Sequence, residues 1–145
     1  MSETWEQCLE FGNHWQAKAI EKMGLKNVRV MPGRFQEFDV VSVEDGKITF
    51  REFKADRLAA KTGNMAIEFS HKNNPSGVNK TLADFWNYVI VYDKVAVVYD
   101  IPVSVLKEFI HQGKFHDAKI CNDGSVCYLF NKDEFGAFAR YWIDI

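Results

Sequence analysis

The sequence predicts a mixed α/β fold, a mixed central β-sheet flanked by helices, and three observations carry that prediction. Short β-branched and aromatic runs alternate with helix-patterned segments along the chain. Two of those runs are joined by Asp45-Gly46, a two-residue turn suited to a β-hairpin. With 145 residues, 47% of them hydrophobic and 14% aromatic, the chain suits one full core. A single domain over residues 1–145 is therefore expected.

Trp5, Leu9, Trp15, Ala19 and Ile20 recur at helical spacing and predict an amphipathic helix over residues 3–23, stopped by Gly24. "NVRVMPG" follows as a short strand ended by Pro32 and Gly33. The run "FDVVSVEDGKITFREFKAD", residues 38–56, is the hairpin. A polar link, "RLAAKTGN", leads to "MAIEFS", where Met65, Ile67 and Phe69 alternate as in a third sheet strand. "HKNNPSGVNK" is dense in turn formers and reads as a surface loop. Thr81 and Asp84 resemble a capping box, so "LADFWNYVIV" is expected to continue as a largely buried helix. "VAVVYD" is a short apolar strand, and "IPVSVLKEFIHQG" a helix framed by Pro102 and Gly113. "NDGS" turns the chain into the strand "VCYLFN", and Phe135, Phe138, Ala139 and Trp142 fall on one stripe of a final helix. The expected order is α-β-β-β-α-β, then α, β and α.

Composition removes several classes of function. Residues 1–8 are polar and do not read as a signal peptide, and the longest apolar runs are far too short to cross a bilayer. A soluble, cytoplasmic protein without a membrane partner is expected. Cys8, Cys121 and Cys127 have no C-x-x-C spacing and read as reduced packing thiols. His14, His71, His111 and His116 lack zinc-ligand spacing, and no P-loop, dinucleotide fingerprint or nucleophile elbow occurs. The net charge of -2 gives no global case for nucleic acid. Residues 51–80, however, carry a local charge of +3 against -5 for the rest, a basic face that suits a polyanion as well as solvent.

The hairpin register raises a question of charge. A two-residue turn at Asp45-Gly46 sets Glu44 opposite Lys47, and outward steps set Asp39 opposite Glu52 and Glu37 opposite Lys54. Alternation then places Glu52 and Lys54 on one side of the sheet with Asp39 beside them. Directly opposed residues have Cβ atoms roughly 4.5–5.5 Å apart, where like charges destabilise the pair. Either Lys54 and Arg51 neutralise a solvent-facing acid pair, or the two carboxylates hold a divalent cation.

"FD" at Phe38-Asp39 followed by "EFK" at Glu52-Phe53-Lys54 resembles the D…(D/E)-x-K signature of the PD-(D/E)XK nuclease superfamily. The likeness covers residues 3–99 and extends through "TGNMAIEFS", "PSG" and "TLADFWNYV" to phage-type and Holliday-junction-resolvase-like members. Phe38 stands where the nominal motif has proline. The resemblance implies a restriction-endonuclease-like αβββαβ core and a Mg²⁺-dependent endonuclease that hydrolyses DNA phosphodiesters in phage or mobile-element DNA processing. It implies Asp39, Glu52 and Lys54 as catalytic residues and Asp39, Glu52 and the Phe53 carbonyl as ligands of Mg²⁺, for which Mn²⁺ would substitute. Many members add a glutamate from the first helix. Here Glu10 is the nearest acid, with Glu6 one turn earlier, while Asn13, His14 and Gln16 occupy the expected neighbourhood.

Lys61, Lys72 and Lys80, with Asn73, Asn74 and Ser76, are candidate phosphate contacts on the loop rim, or simply polar surface. Glu68 is a candidate to join the acidic face, or a solvated strand residue. Trp86 and Tyr88 suit core packing better than base stacking. Resolvase-like members act as dimers, so DNA and a second copy of the chain are the implied partners. A catalytically idle protein of the same fold, binding nucleic acid or another protein, is the alternative function.

Overall fold

In a computed structural model of the chain, which describes residues 3–32, 35, 37–121 and 123–145, the first helix begins at a reciprocal cap. The Thr4 hydroxyl accepts the Gln7 N–H and the Gln7 side chain accepts the Thr4 N–H. This helix, α1 (Trp5–Met23), ends at Gly24, whose φ of +67° is the left-handed conformation that glycine adopts without a Cβ penalty. Among the described residues no helix is long and apolar enough to cross a membrane.

After a two-residue strand, β1 (Arg29–Val30), come β2 (Val40–Glu44) and β3 (Lys47–Asp56). Asp45 and Gly46 both take positive φ, +52° and +78°, as a type I′ turn requires. The pairing runs from Glu44 opposite Lys47 to Val40 opposite Arg51, the register expected from the turn. Gly33, expected to help end the first strand, and Asn122, in the later "NDGS" turn, lie outside the described residues.

A one-turn helix, α2 (Ala59–Thr62), interrupts the polar link before β4 (Asn64–His71). The expected surface loop is mostly ordered turn: Lys72 and Asn73, at φ +50° and +68°, fold the chain into β5 (Asn74–Pro75), and a 3-10 turn at Gly77–Asn79 follows. Residues 85–91, expected as helix, form a strand instead, β6 (Phe85–Val91). "FWNYVIV" is a continuous apolar run buried on both faces, a pattern that strand and buried helix share. The capping-like residues serve other partners. Thr81 Oγ1 donates to the Glu37 carbonyl, and Asp84 Oδ2 accepts the Phe50 N–H.

The chain continues through β7 (Val95–Pro102), α3 (Val103–His111), β8 (Asp117–Ile120) and β9 (Ser125–Asn131). The expected final helix is a 3-10 segment, Lys132–Phe138, followed by β10 (Ala139–Asp144). Its apolar stripe divides: Phe135 enters the core, while Trp142 stays about half exposed on the edge strand.

Six strands form a mixed sheet in the order β1-β2-β3-β6-β7-β10, antiparallel except for the β3–β6 pair, and helices flank it. The expected α/β class is the observed one. A second, antiparallel sheet, β5-β4-β9-β8, was not foreseen. Met65, Ile67 and Phe130 from this sheet meet Trp86, Tyr88 and Ile90 from the other in the main core. Trp15 and Ala19 of α1 cover the opposite face over Val89, Ala96 and Val98. The six-stranded sheet is also bound internally by Arg51, only 3% exposed. It pairs with Glu44 and Asp100 at 2.8 Å each, donates to Asn87 Oδ1 at 3.0 Å, and lies over the Phe85 ring. One guanidinium thus fastens β2, β3, β6 and β7.

Candidate active site

Asp39 stands where the regular β2–β3 ladder ends. Its N–H donates to the Arg51 carbonyl at 2.9 Å, its carbonyl accepts the Met31 N–H at 2.8 Å, and its carboxylate Oδ2 accepts the Phe53 N–H at 2.8 Å. A side-chain oxygen thereby replaces a backbone acceptor and holds the carboxylate against β3. Glu52 lies there, and the two carboxyl groups share a hydrogen bond. The ladder itself ends at Val40 opposite Arg51, so Asp39 does not pair directly with Glu52 as the register had it, and the two acids meet through their side chains instead.

The pair is buried enough to resist double ionisation. Burial first, then the Asp39 charge and hydrogen bond and the Glu68 charge, push Glu52 up to about 9, with the Lys54 charge opposing. Burial also raises Asp39, while the Phe53 N–H and the bond with Glu52 draw it down. At neutral pH the pair holds a proton. Glu52 Oε2 is buried and has no hydrogen-bond partner among the described residues.

Arg51 does not neutralise these acids as one expectation had it. Strand alternation sends it to the opposite face, where Glu44 and Asp100 bind it. Lys54 does share the Glu52 face, partly buried, and its charge acts on Glu52 and on the Cys127 thiol. It stands along the strand from the acids and outside the lining of their cleft.

That cleft, about 580 Å³, joins Asp39 and Glu52 to Glu68, His71, Ser76 and Lys80. A β-bulge between Glu68 and Ser70 breaks the alternation of β4. Ser76 Oγ donates to Glu68 Oε2 at 2.7 Å. Gly77, at φ +53°, packs so closely that a Cβ there would sit 2.0 Å from the Glu68 carbonyl oxygen. The "PSG" turn therefore fixes the far wall, and Ser76 and Lys80 are the rim candidates that reach the cleft, together with Asn74.

Other candidates lie elsewhere. Lys72 and Asn73 form the exposed tip of the β4–β5 turn, with the Lys72 stem against Gly124. Lys61 lines a separate hollow with Phe11, His14, Arg57 and Tyr92. Glu10 is exposed on α1 and faces a depression shared with Glu3, Gln7 and Arg57, away from the acid pair. The cause is helical phase: Trp15 and Ala19 dock α1 on the sheet, and the side of α1 that meets Asp39 presents Leu9, Gly12, Asn13 and Gln16. His71, read in the sequence only against zinc-ligand spacing, reaches the cleft through the β4–β5 turn, for which the turn formers of "HKNNPSG" were the available signal.

Among the described residues, no three His, Cys, Asp or Glu side chains converge as a ready metal cluster. Mg²⁺ does not need one, because it keeps several waters and takes one or two carboxylates plus phosphate oxygens. Two hard oxygen donors, one with a buried atom that has no partner among the described residues, fit that requirement. No family model matches the chain, and neither does any curated protein or solved structure.

Proposed function

We propose that the chain is a Mg²⁺-dependent endonuclease that hydrolyses DNA phosphodiester bonds, the activity implied by its resemblance to the PD-(D/E)XK superfamily. The observation that carries this reading is the buried Oε2 of Glu52, without a partner among the described residues, set against the Asp39 carboxylate. Two acids held together against their repulsion favour a cation in place of their shared proton.

Asp39 and Glu52, with the Phe53 carbonyl, would hold Mg²⁺, which when bound supplies a Lewis acid for the phosphodiester and eases ionisation of water. The Phe53 N–H keeps Asp39 oriented for that task. Lys54 sets an ammonium on the Glu52 face, where it orients the attacking water or offsets charge gathering on the phosphate. Water oxygen bonds to phosphorus, the bond from phosphorus to one sugar oxygen breaks, the proton from water passes to the site and solvent, and the departing sugar oxygen takes up a proton from solvent. Ser76 and Lys80 on the far wall would take phosphate oxygens of the strand. Cytoplasmic DNA processing by a homodimer belongs to the same reading.

The test is nicking of a panel of branched, single-stranded and duplex DNA with Mg²⁺ or Mn²⁺. Asp39→Asn, Glu52→Gln and Lys54→Ala should each slow cleavage by about 10²-fold or more. The idle-binder alternative draws on Glu10, which stands away from the pair and leaves it without a third carboxylate from α1. Metal-independent binding with no cleavage anywhere on the panel would establish that alternative.

A further inference from the structure

We infer that the groove between α1 and β1 receives an unpaired nucleobase, next to the phosphate held at Asp39 and Glu52. The inference rests on the nuclease reading above and names its substrate class: nucleic acid with bases free of a duplex.

The groove, about 800 Å³, adjoins the acidic cleft at Asp39, which lines both, the groove taking Phe53 and the cleft Glu52 from the two faces of β3. Its walls are apolar, with Leu9 and Ile20 on α1 facing Val28 and Met31. Among the described residues, Asp39 is the only charged side chain in its lining. A phosphate finds no cation among the described residues there, whereas a flat, uncharged ring finds apolar walls on both sides. Asn13 and Gln16, three residues apart on α1, line the same groove. Neither amide makes a hydrogen bond with another described residue. An amide offers a donor beside an acceptor, the arrangement that matches the edge of a base.

Gly12 supplies an independent observation. It sits inside α1, where glycine costs about 1 kcal/mol relative to alanine, yet a Cβ there would meet nothing within 4 Å. No neighbour in the described chain requires its small size. What the absent side chain does is keep the groove open. A base within a duplex must leave its stack to enter, at a cost of a few kcal/mol, so unpaired strands are favoured.

The experiment measures binding of fluorescein-labelled DNA to the full chain with Ca²⁺ in place of Mg²⁺, comparing a mixed-sequence single strand with an abasic strand of equal length. The base-bearing strand should bind at least about ten-fold tighter, as loss of base contacts and stacking implies. Gly12→Leu, which projects into the groove, should remove that preference while leaving abasic binding unchanged and the melting temperature equal or higher. Asn13→Ala with Gln16→Ala should weaken only the base-bearing strand. Equal affinity for the two strands, or a Gly12→Leu chain that keeps the preference, overturns the inference. If the unaltered chain also cleaves DNA with Mg²⁺, the nuclease reading survives that loss. Failure both to bind either strand and to cleave any DNA overturns both.

Discussion

A carboxyl group pushed up to about 9 binds its proton more tightly in the folded chain than in the unfolded one, where glutamate sits near 4.5. The contribution of Glu52 to stability is therefore full below about 4.5 and is lost as pH rises through about 9. Asp39 shifts in the same direction. The metal-free chain should melt at progressively lower temperature as pH rises from 5 to 9. Glu52→Gln should remove most of that slope and stabilise the chain by about 1–3 kcal/mol at pH 8.5. Mg²⁺ takes the place of the proton, so its stabilising effect should be larger at pH 8.5 than at pH 6. Thermal melts across pH, with chelator and with Mg²⁺, check all three. Arg51→Met leaves Glu44 and Asp100 without their buried cation and should lower stability by about 3–5 kcal/mol, read from urea titration. The turn made the ladder legible from Glu44–Lys47 to Val40–Arg51, which ends beside Asp39 and Glu52 without pairing them. Glu10 was not legible, because the phase of a helix depends on which side meets the sheet.

Secondary elements place the far wall of the cleft through close backbone contact. Gly77→Ala would force a Cβ into the Glu68 carbonyl and hold alanine at a φ of +53°. A loss on the order of 3 kcal/mol or more is expected in denaturant unfolding, with Mg²⁺ affinity weakened as the wall shifts. Gly12→Ala has neither problem and should gain about 0.5–1 kcal/mol. The strand β6 shows where periodicity fails. A run buried on both faces has no polar side to report its period, and the Thr81/Asp84 pattern pointed to a cap whose side chains instead brace Glu37 and Phe50. The β2–β3 hairpin was readable for the opposite reason: its turn residues require a conformation that few others tolerate.

At the scale of the whole molecule, the α/β class was visible in the alternation of runs, but the second sheet was not. Its strands β8 and β5 are short and exposed, and it exists through pairing with β4 and β9, which local sequence does not encode. The +3 charge of residues 51–80 is likewise divided by folding: Arg51 is consumed inside the sheet, and Lys61, Lys72 and Lys80 point to different surfaces. DNA affinity should therefore fall only gently with salt, as for two or three phosphate contacts, and a salt titration of binding checks this.

The parallel pairing of β3 with β6 spans α2, β4, β5 and the 3-10 turn. Closing so long an excursion costs entropy before any contact rewards it. During renaturation the hairpin can zip early, whereas its acids meet the Glu68 wall only once the crossover has settled. Competence to take up a divalent ion should thus appear as a late kinetic phase, lagging the return of far-ultraviolet dichroism.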